Sequence, residues 1–258
     1  MPRTDNRRLP RYTAGEVDVP YAVNGHGEVL ERDTVWAEHS HPTHELLWNE
    51  RGVSSARIGA RLWSVTPRLG LWIPAGVPHS GQAPAGTWHR AAQFRVDSAP
   101  GPAPEPLAVE MTPLLRLLLE RLDSAALTPE ARERTELMVT DVLTPAAEEL
   151  FLTLPEAPLL APIVAALRAD PADSTTLRAW AGRLGVSTRT ITRAFRAETG
   201  LTFSAWSAQA RVQHAMALLA RGERVDEVAD QVGYASASAF GTAFRRATGM
   251  GPGQFRPR

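Results

Sequence analysis

A stretch of about twenty residues occurs twice near the end of this chain, and no other feature restricts the fold as much. Ala181-Gly182-Arg183-Leu184-Gly185-Val186-Ser187 returns as Ala229-Asp230-Gln231-Val232-Gly233-Tyr234-Ala235-Ser236, with one residue inserted. Beyond Ser187 and Ser236 the copies keep a fixed offset of 49, so Phe195-Arg196 becomes Phe244-Arg245 and Thr199-Gly200 becomes Thr248-Gly249. Each copy reads as a short helix, a glycine turn, a serine able to cap the next helix's free amides, and that helix. This is a helix-turn-helix layout. Two copies at fixed spacing are far more specific than one helical hairpin.

Helical spacing sorts the faces of each second helix. Ile191 and Phe195 are four apart and point inward, which turns Thr188, Arg189, Thr192, Arg193 and Arg196 outward behind the capping Ser187. An outward arginine at the start of such a helix can make two hydrogen bonds to guanine in the major groove; the bland alternative is a solvated charged face. In the second copy Phe240 and Phe244 face inward, leaving Ala237, Ser238, Gly241, Thr242 and Arg245 outside. Apart from Arg245 these side chains are too short to reach far into a groove, so this half is expected to bind backbone phosphates or to read little. A glycine inside a helix costs about 1 kcal/mol relative to alanine, so Gly241 marks either a close backbone approach or plain tolerance. Residues 203–220 read as one helix of about 27 Å, long enough to set two recognition helices in major grooves about 34 Å apart.

Charge agrees with a nucleic-acid-binding end. The net charge of +0 conceals residues 1–154 at about −5 and residues 155–258 at about +5. Every basic residue is arginine, so lysine-based phosphate loops and Schiff bases are excluded, and without cysteine so are disulfides, thiolate nucleophiles and sulfur-bound zinc. No apolar run reaches the roughly 18 residues of a membrane span, and residues 1–20 lack a signal core. A cytoplasmic protein with no membrane partner is expected.

The remaining chain points to an α+β protein. Residues 1–20 read as a mobile polar leader and residues 21–98 as short strands of a small barrel. Within them Ile58, Ala60 and Leu62 alternate and, after a slip, so do Trp63 and Val65; turns are marked at Gly52, Pro67, Gly76 and Gly86. Five of the seven tryptophans fall between Trp36 and Trp88, as core material or as the lining of an effector cavity. Ser98-Ala99-Pro100-Gly101-Pro102-Ala103-Pro104 reads as a stiff linker opening residues 99–154. There Leu114, Leu115, Leu118, Leu119 and Leu122 form one helical face, and Leu137, Met138, Val142 and Leu150 suggest another, for packing or for a dimer seam. Residues 155–258 are the helical DNA-binding segment.

Residues 159–256 resemble the AraC/XylS family of transcription regulators. Leu184-Gly185-Val186-Ser187, Phe195-Arg196, Thr199-Gly200, Val228-Ala229, Val232-Gly233-Tyr234, Ser236, Phe240, Phe244-Arg245, Pro252 and Phe255-Arg256 follow its signature. The resemblance implies a seven-helix domain with two helix-turn-helix units. It places base contacts at Arg189, Thr192 and Arg193, and in the second unit at Ala237, Ser238, Gly241 and Thr242, whose size departs from the pattern.

His39-Ser40-His41-Pro42-Thr43-His44-Glu45 with Gly52, and Pro74-Ala75-Gly76-Val77-Pro78-His79, resemble the two metal motifs of cupins, except that Ala83 stands where asparagine usually ends the second. The resemblance implies a cupin-like barrel in which His39, His41, Glu45 and His79 hold one divalent transition metal: iron, manganese, nickel or zinc. The alternative is that these histidines are merely packed. His44 could replace one ligand, while His26 and His89 are expected at the surface or in loops. The function expected is a sequence-specific regulator that binds promoter or operator DNA, pairs as a homodimer and senses a small molecule or a metal ion. The alternatives are a metal-dependent cupin enzyme with a structural helical end, and an architectural DNA binder without effector.

Overall fold

A computed structural model describes residues 4–97, 101–124 and 126–256. Residues 1–3 of the expected leader, Ser98-Ala99-Pro100 of the expected linker and residues 257–258 of the DNA-binding segment lie outside the described residues. The chain divides into two compact units, Met1–Gly59 with Trp63–Leu150 and Ala60–Leu62 with Phe151–Arg258.

The first unit holds strands β1 (Asp5–Arg7), β2 (Val23–Val29), β3 (Thr34–His39), β4 (His44–Arg51), β5 (Ser54–Ile58), β6 (Arg61–Val65, of which Trp63–Val65 belong here), β7 (Leu69–Ile73), β8 (His79–Ala83), β9 (Trp88–Phe94) and β10 (Leu107–Glu110). Helices α1 (Pro113–Leu122) and α2 (Pro129–Val142) follow. One sheet runs β1-β3-β8-β5-β6 within this unit and the other β10-β7-β4-β9-β2. Strand alternation gives the second sheet two faces. Val23, Leu46, Trp48, Trp72, Ala92 and Phe94 turn outward, where Leu115, Leu118, Leu119 and Leu122 of α1 and Val139 of α2 bury them. Each α1 leucine so buried is worth about 1.5–3 kcal/mol. The opposite face carries Glu45, Leu47 and Asn49 of β4, paired in register with Gln93, Ala91 and His89 of β9.

Several expectations change here. The segment expected as a mobile leader contributes β1, parallel to β3 with Arg7 opposite Trp36, and Arg7 ion-pairs with Glu28. It is held by charge and by ladder bonds, which hydropathy does not register. The described residues of 99–154 form no separate linker region, because β10 pairs with β7 and the helices cap the sheet, which puts the unit's border at Leu150 rather than at residue 98. The Ile58-Ala60-Leu62 alternation is broken by a hairpin turn between β5 and β6, with Gly59 at φ 54°. On α1 the apolar face lacks Leu114, which is exposed together with Leu117. On α2, Leu137 and Met138 are exposed and Thr135 and Val139 are buried, so the inward stripe lies a quarter-turn from the expected one.

The second unit contains β11 (Phe151–Thr153) and helices α3 (Ala161–Ala169), α4 (Leu177–Leu184), α5 (Thr188–Thr199), α6 (Phe203–Ala220), α7 (Val225–Gln231) and α8 (Ala237–Thr248). A 3₁₀ turn at Pro252–Phe255 stands where the resemblance implied a seventh helix. Ile191, Phe195, Trp180, Trp206, Leu160 and Ile163 share one core, and Trp206 donates its indole N–H to the Thr153 carbonyl at 2.7 Å. Phe240 and Phe244 are fully buried in the second repeat, as their spacing requires.

Candidate nucleic-acid interface and metal cluster

Both repeats fold as helix-turn-helix units. Gly185 ends α4 at φ 67°, and Ser187 caps α5 by accepting from the Thr190 amide at 3.1 Å. Gly233 holds φ 77° after α7, and Ser236 caps α8 by accepting from Ala239 at 3.2 Å. Capping commits the Ser187 hydroxyl to its own helix. Thr188, Arg189, Arg193 and Arg196 are exposed on α5 and Thr192 is half-buried. None of the three arginines makes a hydrogen bond or ion pair among the described residues, so their five-donor forks are available to a ligand. The Thr192 hydroxyl donates to the Thr188 carbonyl at 2.9 Å and retains only acceptor capacity.

On α8, Ala237, Ser238, Thr242 and Arg245 are exposed and Gly241 is half-buried. Thr242 donates to the Ser238 carbonyl at 3.1 Å, as Thr192 does in α5. A Cβ placed on Gly241 would meet nothing within 4 Å, so within the chain this glycine is tolerated rather than required. Sequence reasoning missed the contribution of the preceding helices. Exposed Arg178 and Arg183 lie on α4, whereas α7 carries Asp226, Glu227 and Asp230, and exposed Arg246 adjoins Arg245. The first helix-turn-helix is the basic one. The repeat alignment pairs Arg178 with Asp226 and could have revealed this.

In the sheet unit, the end of β3, the following loop and the start of β8 bring His39, His41 and His79 into one cluster of ligand nitrogens, and Glu45 of β4 contacts His41 and His79 without joining that mutually close set. One ligand nitrogen from each histidine lies within 4.8 Å of the other two. Glu45 Oε1 is 3.3 Å from His41 Nε2, and Glu45 Oε2 is 3.3 Å from His79 Nε2. His39 Nδ1 bonds the Ala37 carbonyl at 2.8 Å and His79 Nδ1 the Val77 carbonyl at 3.0 Å. These bonds place the ring protons on Nδ1 and leave the Nε2 lone pairs free, the tautomer and orientation of a metal-ligating imidazole. Gln93 donates to Glu45 Oε1 at 2.7 Å, while buried Oε2 receives no hydrogen bond. Burial lowers the pKa values of His39 and His41. For His79 burial also pulls downward, but its contact with Glu45 outweighs that and raises it. Burial pushes Glu45 up, yet the surrounding imidazoles hold it well below the usual carboxylate range.

The other histidines divide differently from expectation. His44 does not enter the cluster: it stacks on Trp72 at 5.1 Å and accepts from the Ala75 amide at 3.0 Å. His26 is exposed on β2, at the surface as expected. His89 is on β9, in register with Asn49 on the face that bears Glu45, and its ring lies 5.1 Å from Trp36. It is an inward residue. The sequence around it, Trp88-His89-Arg90, has no alternation to disclose that.

Residues 28–138 match the AraC-like ligand binding domain family and residues 180–258 the helix-turn-helix domain family. The transcriptional regulator NimR of Escherichia coli is 29% identical over 224 residues, covering 85% of this chain and 82% of that protein. The transcriptional regulator RipA of Corynebacterium glutamicum is 33% identical over 216 residues, and the match covers 81% of this chain and 61% of RipA. A sheet-built ligand-binding domain joined to a doubled helix-turn-helix defines a DNA-binding transcription regulator. Within that class the chain belongs to the AraC/XylS family. Among the described residues no helix is long and apolar enough to cross a membrane.

Proposed function

We propose that this regulator reads its operator through α5 and holds one divalent first-row metal, iron, manganese, nickel or zinc, among His39, His41, His79 and Glu45. The observation that carries the reading is the orphaned Oε2 of Glu45. His79 keeps one ring proton on Nδ1 and turns Nε2 to within 3.3 Å of that oxygen, a contact that a second ring proton would make an ion pair and that a cation ligated by both atoms would bridge. Two atoms each about 2.1 Å from one ion lie about 3.0–3.4 Å apart at octahedral or tetrahedral angles, and both Glu45–histidine contacts fall there. Three imidazoles and a carboxylate suit these metals. When bound, the ion supplies positive charge and open coordination positions to a ligand.

In the second unit, Arg189 and Arg193 supply base contacts and Arg196 a phosphate contact, while α8 holds the backbone through Arg245. Ser187, Thr188 and Thr192 shape the start of the reading helix, and Ala237, Ser238, Gly241 and Thr242 form a face too short for bidentate readout. The chain acts as a sensor in the cytoplasm and not as a metal-dependent enzyme, in keeping with relatives named as transcriptional regulators. Exposed Leu114 and Leu117 on α1 with Leu137 and Met138 on α2 support pairing with a second copy.

The test is elemental analysis of the purified chain, followed by footprinting of its own upstream region with and without the metal found. One ion per chain and metal-dependent protection are expected. A chain that takes up none of the four metals at stoichiometric level overturns the reading.

A further inference from the structure

The two helix-turn-helix repeats meet at a second place besides the helix that joins them. α6 runs unbroken from Phe203 to Ala220 and carries Arg211 near its middle. Arg211 Nε donates to the Pro171 carbonyl at 3.0 Å and Nη2 to the Asp173 carbonyl at 3.0 Å, and the guanidinium lies 5.9 Å from the centre of the Tyr234 ring. Gly233 sits against Ala172, where an added Cβ would come within 2.9 Å of the Ala172 Cα, so only a glycine lets the two backbones approach this closely. Each side of the junction is tied to one repeat. Residues 171–173 lead into α4: the Asp170 carboxylate accepts from the Ala172 amide at 2.9 Å, the Asp173 carboxylate from the Thr175 amide at 2.7 Å, and Thr176 caps the helix by accepting from Ala179 at 3.2 Å. Gly233 and Tyr234 form the turn of the second repeat, where the Tyr234 amide returns to the Ala229 carbonyl at 2.9 Å and its ring packs on Phe240 of α8 at 5.6 Å.

A joining helix sets the distance between two repeats but lets each rock on the side chains that grip it. The junction adds a second connection, which fixes the loop before α4 to the turn before α8 as well as both to α6. Two carbonyls held by one side chain require the planar fork of a guanidinium, which a lysine ammonium does not offer. Resting on the reading that α5 and α8 both touch the operator, we infer that Arg211 is a positioning residue: it locks the two helix-turn-helix repeats into one body and so fixes the spacing between the operator segments that α5 and α8 contact. A rigid link makes the second contact intramolecular only at the spacing it fits. One base pair inserted between the segments moves the α8 segment by about 3.4 Å along the duplex and by about 35° around it. A locked pair cannot follow that displacement and keeps the α5 contact alone.

The experiment is a titration of the full chain, in the buffer that gives a footprint, with three labelled duplexes: the footprinted upstream operator, the same operator with one base pair inserted between its strongly specified and tolerant halves, and the strongly specified half alone in unrelated flanking sequence. For the wild type the insertion should weaken binding about tenfold, the worth of one charge-assisted contact, down to the level of the half alone. In Arg211→Ala the intact operator should weaken towards the half alone and the insertion penalty should vanish, while binding to the half alone is unchanged. Arg211→Lys, which keeps the charge but not the fork, should retain part of the penalty. Wild-type chain that binds the inserted operator as well as the intact one overturns the inference, as does Arg211→Ala that keeps the full penalty, or that loses as much affinity for the half alone as for the whole operator. If the alanine variant does not fold, the lysine variant decides, and a full wild-type penalty there overturns the inference. Failure of the α5 reading shows instead as unchanged base discrimination in the Arg189 and Arg193 variants, a readout independent of spacing.

Discussion

Replacing Arg193 by alanine should remove specific operator affinity and leave the fold untouched. The guanidinium is exposed and has no partner among the described residues, so the substitution should shift folding stability by no more than about 0.5 kcal/mol. Loss of a bidentate base contact costs about 1–3 kcal/mol, or roughly 5- to 150-fold in Kd. The geometry of α5 adds a positional requirement. Arg189 and Arg193 are four residues apart, about 6 Å along the axis, which spans roughly two base steps of 3.4 Å. Arg189→Ala and Arg193→Ala should therefore relax specificity at operator positions about two base pairs apart. Arg196→Ala should weaken binding to every sequence alike and reduce the slope of log K against log salt by about 0.9. The assay is a fluorescence-anisotropy titration against single-base-substituted operators at several salt concentrations. Unchanged discrimination in both the Arg189 and Arg193 variants would refute the orientation assigned to α5.

The second repeat should behave otherwise: Ser238→Ala and Thr242→Ala should each change affinity by less than about 1 kcal/mol, and a base-by-base scan should show one strongly specified operator half and one tolerant half. Equal specificity in both halves contradicts this. Gly241→Ala meets no neighbour and sits inside α8, so thermal melts should show a gain approaching about 1 kcal/mol, whereas Gly101→Ala, whose Cβ would overlap the Trp72 ring, should destabilise by about 1–3 kcal/mol. The Arg7 hydrogen bond holds the Glu28 carboxyl below its ordinary 4.5. The stability it contributes is therefore fully present above pH 4.5 and is lost as pH falls through the lower folded value. Arg7→Ala should flatten that acid limb in pH-dependent melts, and an unaltered limb speaks against the pair.

The doubled helix-turn-helix was legible because its signals are local: the serine caps, the glycine ends and the four-residue spacing of Ile191–Phe195 and Phe240–Phe244 need no tertiary information. His39 and His41 share a side of the chain through their spacing, but their meeting with Glu45 and His79 depends on pairing across a register shift between Trp36 and His39. Motif resemblance suggested that meeting; alternation alone did not. His89 escaped because its inward turn is set by its partner Asn49 on β4. β10 was hidden behind a run of prolines, and β1 behind arginines whose ladder and ion-pair contacts compensate for missing hydrophobicity.

The two reading helices share one chassis and differ in their lettering. Matching glycine ends and serine caps support both, while the outward positions of α8 hold Ala237, Ser238, Gly241 and Thr242, which contribute little to the core. Those positions amount to a blank field in the address that the protein recognises. Longer polar side chains could be written there without disturbing Phe240 or Phe244 beneath, and the chain could acquire a longer DNA address by surface change alone.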